Sequence, residues 1–138
     1  MQPRSPAQIF ALVFGVALLL VGVLGFFYNA SFSVGDEIER EAVLGVLDVN
    51  AWHNLVHLGS GLLGLAVAGF WTGARLSALT LGVAYTVVTV LGFAYGDGGA
   101  IIGLIPVNTE DNVLHLVIAL SGFAAYFATP EEPAPTLA

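Results

Sequence analysis

The 138-residue chain is predicted to fold as an all-α integral membrane protein: a four-transmembrane-helix bundle built from two parallel two-helix repeats, with a pseudo-two-fold axis along the membrane normal. Three observations predict this. Hydrophobic residues make up 57% of the chain and charged residues only 9%, against about 25% charged in a soluble domain. Four apolar runs each approach the roughly 20 residues needed to cross a bilayer. The third observation is a duplication. Residues 42–58 read AVLGVLDVNAWHNLVHL and residues 100–116 read AIIGLIPVNTEDNVLHL, displaced by 58 residues. Ala42 falls on Ala100, Gly45 on Gly103, Asn50 on Asn108, Asn54 on Asn112 and His57 on His115, whereas His53 falls on Asp111. Two crossings per copy bring both copies into the membrane in the same direction, which makes the repeats parallel.

The chain is read as one domain, 1–138, with spans at 9–28, 51–71, 76–95 and 112–128 and repeat units at 9–71 and 76–128. The first span follows Arg4 and has the look of a signal peptide. It is assigned to the fold because it matches the third: Gly15-Val16-Ala17 and Val23-Leu24-Gly25-Phe26 recur as Gly82-Val83-Ala84 and Val90-Leu91-Gly92-Phe93, and Tyr28 recurs as Tyr95. The apolar segments 42–47 and 100–105 are too short to span and are expected to lie on the surface or dip shallowly into the membrane. Asn50 and Asn108 are expected to cap the helices that follow. Trp52 and Trp71 are expected at opposite ends of the second helix as interfacial anchors. The proline-bearing tail 129–138 reads as disordered.

The absence of cysteine excludes disulfides, thiolate metal sites and cysteine nucleophiles. The net charge of −7 argues against nucleic acid as a partner. The expected partners are the lipid bilayer and further copies of the chain or a larger membrane complex. There is no lysine, and the cations are Arg4, Arg40 and Arg75. Arg4 and Arg75 fall on one side, which the positive-inside rule makes the cytoplasm. The chain is therefore expected in the cell membrane, multi-pass, with both termini cytoplasmic and the histidines toward the outer face. Asn29-Ala30-Ser31 is a glycosylation sequon on that outer side, set close to the membrane. Gly96-Asp97-Gly98-Gly99 reads as a turn, because it lacks the lysine of a phosphate cradle.

His53, His57, Ser60, Gly61, Gly64 and Ala68 share one helical stripe, and Asp111, His115, Ala119 and Gly122 share the equivalent one. Small residues mark the face where membrane helices pack, so these stripes should face the interior, with Leu55, Leu58, Leu62 and Leu65 turned to lipid. Tyr85 and Thr89 add polar groups from the third helix, where the first has Leu18 and Gly22. Two pairs spaced by four residues place three imidazoles and a carboxylate around one point. His53, His57, Asp111 and His115 are thus the candidate ligands of a divalent transition metal, Zn²⁺ first. Asn54, Asn112, Glu110 and Ser60 are candidates to hydrogen-bond the ligands from behind.

The elements His53-Asn54-Leu55-Val56-His57 and Asp111-Asn112-Val113-Leu114-His115 resemble an uncharacterised family of small four-helix prokaryotic integral membrane proteins, catalogued as a domain of unknown function. That family carries H-N-x-x-H before helix 2 and D-x-x-x-H before helix 4. The resemblance covers roughly residues 8–128. It implies four helices in a bacterial or archaeal membrane, and it implies no activity.

The function favoured by the residues is non-enzymatic: a membrane protein with a histidine/aspartate cluster at its outer end that binds a divalent metal. The alternative is a structural or accessory subunit whose histidines only hydrogen-bond Asn54 and Asn112 to fix helix packing. A further alternative is a haem b held by His57 and His115 from diagonal helices, with nearby glycines making room. An enzymatic reading, a zinc hydrolase using Ser60 or Ser121 with Glu110 as base, ranks last, because the chain is small for a pocket and a gate.

Overall fold

The computed structural model describes residues 3–131. Among them are four α-helices: α1 (Pro6–Tyr28), α2 (Ala51–Val67), α3 (Trp71–Tyr95) and α4 (Thr109–Ala128). Three of these, α1, α3 and α4, are long and apolar enough to cross a membrane, as an integral membrane protein requires. The remaining helix, α2, has 17 residues, because the chain breaks into a turn at 68–70. Trp71 therefore opens α3 rather than closing α2.

Three of the four helices, α1, α2 and α4, start at a side-chain cap, whereas α3 starts after Phe70 without one. The Ser5 hydroxyl accepts from the Gln8 N–H while the Gln8 side chain accepts from the Ser5 N–H, a reciprocal box with Pro6 in the first turn. The Asn50 and Asn108 side chains accept from the N–H groups of His53 and Asp111, as expected for caps.

The segments expected to lie flat or re-enter the membrane are instead β-hairpins. Glu41–Val43 (β1) pairs antiparallel with Leu47–Val49 (β2), and Ala100–Ile101 (β3) pairs with Ile105–Pro106 (β4). Both hairpins turn through two residues with positive φ, Leu44 (53°) with Gly45 (73°) and Ile102 (47°) with Gly103 (69°). Such primed geometry matches the twist of paired strands. Glycine adopts it freely, but leucine and β-branched isoleucine do not, so each hairpin carries one strained apolar residue at its tip. Periodicity could not reveal these hairpins, because strands of two or three residues are shorter than any period.

The hairpins are latched to each other. The Asn50 amide donates to the Leu104 carbonyl at 2.7 Å, and the Asn108 amide donates to the Val46 carbonyl at 2.7 Å. Each asparagine thus caps its own helix and holds the opposite hairpin. The Gly35 N–H donates to Gly103, and Arg40 donates to the Gly98 carbonyl. Replacing either asparagine by alanine removes a cap and a cross-link together. Each change should cost about 1–2 kcal/mol, read as a loss of thermal stability in detergent. Stability equal to wild type in both variants would show that neither cap nor latch contributes.

In the bundle α1 packs chiefly on α2, and α3 on α4. Glycine permits the close approach. A Cβ on Gly61 would stand 2.6 Å from the Leu19 backbone nitrogen, and one on Gly122 would stand 2.7 Å from the Ala78 carbonyl oxygen. The small-residue stripes do face inward: Gly61, Gly64, Ala68, Ala119 and Gly122 are all buried. Leu55 and Leu62 are exposed as expected. Leu58 and Leu65 depart from the expectation, because they fill the niches left by Gly22 and Gly15 on α1.

The start of the supposed tail is anchored. Thr129 is buried, its hydroxyl accepts from the Ala7 N–H and donates to Ala125, and its carbonyl accepts from Arg75. The Arg75 guanidinium lies 4.2 Å from the centre of the Tyr126 ring, and the Trp71 indole donates to the Pro130 carbonyl. The rest of the tail, 132–138, lies outside the described residues. The sequon asparagine is likewise engaged: Asn29 ends α1, is 7% exposed and accepts from the Ser31 N–H through its own side chain.

Candidate metal centre

The largest side chains buried to under 2% exposure include Ile118, His53, His57 and His115. Imidazoles occupy the interior of the bundle near its hairpin end, where leucine would be ordinary. The three rings form one cluster. Their centroids are separated by 4.4 Å (His53–His57), 5.7 Å (His53–His115) and 6.1 Å (His57–His115). One ring nitrogen from each lies within 4.8 Å of the other two. His53 and His57 lie side by side because they are four apart on α2, and His115 crosses to them from α4.

His53 is tied to the hairpins. Its Nδ1 lies 2.8 Å from the Asp48 carbonyl, which can only accept, so Nδ1 carries the proton and Nε2 keeps its lone pair. The Pro106 carbonyl of β4 also reaches this ring. His57 is different: neither of its ring nitrogens has a hydrogen-bond partner among the described residues, though the side chain is 1% exposed. Nδ1 of His115 is also unpartnered. Buried polar groups nearly always have partners, and each exception calls for an explanation.

Asp111, the expected fourth ligand, does not join this triad of nitrogens. It is fully buried, and its Oδ2 accepts from the Asp48 N–H at 2.9 Å, leaving Oδ1 unpartnered. Asp48 therefore joins both helices to β2: its carbonyl holds His53 and its N–H holds Asp111. The sequence singled out neither backbone group. The Asp48 side chain sits 3.9 Å from Arg40. Partial burial raises its carboxyl above the usual carboxylate range, against the opposing pull of Arg40.

The four residues expected behind the ligands are distributed otherwise. The Asn54 amide donates to the Asn29 carbonyl at 2.8 Å, while its Oδ1 rests on Gly25. The Asn112 Oδ1 rests in the same way on Gly92. Both oxygens are buried without a hydrogen-bond donor. Glu110 is exposed at the end of α4, and Ser60 stands beside the Tyr85 hydroxyl. None of the four is hydrogen-bonded to an imidazole. Tyr85 instead supplies the aromatic neighbour, with its ring centroid 5.4 Å from that of His115.

Four helices, three of them long and apolar enough to span a bilayer, around a buried cluster of three histidines define a helical protein of the membrane class. The chain belongs to the family Domain of unknown function (DUF4383), whose model matches residues 8–128. No curated protein and no solved structure matches it.

Proposed function

We propose that the chain is a non-enzymatic, four-span membrane protein that holds one divalent transition metal, Zn²⁺ by preference, on His53, His57 and His115. The observation that carries this reading is His57, a fully buried side chain with two unpartnered ring nitrogens beside two further imidazoles. Imidazole lone pairs turned toward one point are ligands for zinc, copper, nickel or iron. At a Zn–N length near 2.05 Å, tetrahedral ligands stand about 3.3 Å apart. Drawing atoms that lie within 4.8 Å of one another down to that separation requires a modest side-chain rotation. The Asp48 carbonyl plays the customary part of fixing the tautomer of a ligating histidine. In this reading Asp111 anchors the hairpin over the site.

The packing-only alternative expected His57 and His115 to bond Asn54 and Asn112. Asn54 is instead bonded to Asn29, and His57 to nothing among the described residues. A haem between His57 and His115 meets His53, whose ring lies 4.4 Å and 5.7 Å from theirs. The glycines meant to make room are filled by neighbouring backbone.

The halves α1–α2 and α3–α4, each with its hairpin, are read as parallel repeats about an axis along the membrane normal, with α2 as the fourth crossing. The hairpin end is the outer one. The test of orientation is single-cysteine labelling in a chain that has no cysteine of its own. Glu37→Cys, at the hairpin end, should react with an impermeant thiol reagent on intact cells, and Glu131→Cys should react only after lysis. The reverse pattern would put the histidines on the cytoplasmic side. The test of the metal is elemental analysis of the purified protein, which should carry about one equivalent of a first-row ion. A protein free of metal, with a melting temperature indifferent to chelator and to added Zn²⁺, would leave the structural-subunit reading in its place.

A further inference from the structure

The three histidines supply three ligands, and a tetrahedral ion needs four. On the hairpin side stands Asp111, whose Oδ2 accepts from the Asp48 N–H and whose Oδ1 is unpartnered, but which does not lie with the three nitrogens. On α1, the interior residues at this level are Leu18 and Gly22, which donate nothing. On α3, the residue equivalent to Leu18 in the duplication is Tyr85. It is 3% exposed, its ring lies 5.4 Å from that of His115, and its hydroxyl has no hydrogen-bond partner among the described residues. Ser60, the hydroxyl beside it, does not complete a bond of good geometry. A phenol buried in this way ordinarily finds a partner. The halves differ at several interior positions, among them His53 against Asp111, Leu18 against Tyr85 and Gly22 against Thr89, whose hydroxyl is already committed to the Tyr85 carbonyl. Each adds to one half a group that the other half lacks.

We infer that the metal keeps an open fourth position, filled by water or a small anion, and that the Tyr85 hydroxyl donates a hydrogen bond to that exogenous ligand. This rests on the metal reading above. Tyr85 is a positioning residue: it contacts the fourth ligand, not the ion, and remains neutral. Three protein ligands with one exchangeable position distinguish a reactive or sensing site from a closed structural one. The class of ligand is set by size and charge. The three imidazoles are each 1% exposed, which favours a ligand of a few atoms, and a donor O–H beside a divalent cation favours an anion.

The experiment uses the full-length protein in detergent, loaded with Co²⁺ alone, whose visible absorption reports coordination. Azide is the probe anion. Wild type should bind one Co²⁺, and its spectrum should shift on titration with azide. Tyr85→Phe keeps the ring against His115 and should bind Co²⁺ with unchanged stoichiometry and affinity. Its affinity for azide should fall about ten-fold to one-hundred-fold, the loss of one hydrogen bond to a charged partner. Should the phenylalanine variant fold poorly, Tyr85→Leu copies the residue of the other half and is read in the same way. Equal azide affinity in wild type and variant overturns the role of Tyr85. A Co²⁺ spectrum that ignores azide overturns the open position while leaving the metal in place. Failure to bind Co²⁺ at all overturns both, and is recognised by the absence of any visible band.

Discussion

Replacing His57 by alanine is expected to abolish metal retention and with it the whole of the metal-dependent stabilisation. A ligand that binds only the native state adds RT ln(1 + [L]/Kd), about 2.7 kcal/mol at one hundred times Kd. Removing one of three nitrogen ligands from a buried site leaves too few donors to desolvate the ion. The His57 side chain is 1% exposed, so its truncation also opens a cavity and destabilises the protein without metal. The informative quantity is therefore the difference in melting temperature with Zn²⁺ and with chelator. In wild type it should be positive by several degrees, and in His57→Ala and His115→Ala it should vanish. The difference should also shrink in wild type at acid pH, where protons compete for imidazole nitrogen. A variant that kept the full increment would remove His57 from the site.

The second large effect is expected at two glycines, Gly25 on α1 and Gly92 on α3. A Cβ on Gly25 would stand 1.9 Å from the Asn54 Oδ1, and a Cβ on Gly92 would stand 1.9 Å from the Asn112 Oδ1. No side-chain rotation of a few tenths of an ångström relieves such a clash, so the asparagine must leave its niche or the helices must part. Gly25→Ala and Gly92→Ala should each cost about 1–3 kcal/mol, the usual range for overpacking. Displaced Asn54 would lose its bond to the Asn29 carbonyl, which adds to the cost in the first variant. Thermal unfolding of the two variants in the same detergent decides the matter. Both variants should lose stability, Gly25→Ala the more, and a loss in one variant alone would mean that the two niches do not carry load alike.

Much of this architecture was legible in the residues. The apolar runs located the helices to within a few positions, because roughly 20 consecutive apolar residues have few alternatives to a helix in lipid. The spacing of four put His53 beside His57, and the small-residue stripes put both on the inward face together with His115. The duplication also paired Gly25 with Gly92, and that was the signal for the asparagine niches, although nothing local said what would fill them. The hairpins were not legible. Their strands are two or three residues long, and the turns set leucine and isoleucine at positive φ, where propensity would not put them. The latch between hairpins, sustained by Asn50 and Asn108, spans more than fifty residues of sequence and left no trace in it.

What the sequence by itself determined was the set of groups and their faces: four helices, an interior stripe, and three histidines with an aspartate along it. Local periodicity fixes direction along and around a helix, and that suffices for such a set. What only the tertiary structure decided was which of the four converge. Distance between α2 and α4 depends on how closely glycine lets the backbones approach, and the direction of Asp111 depends on a backbone N–H in a hairpin far away in sequence. That single bond draws the carboxylate to the hairpin and leaves three imidazoles facing one another. Tyr85 lies beside His115, because α3 carries a phenol at the position where α1 carries a leucine.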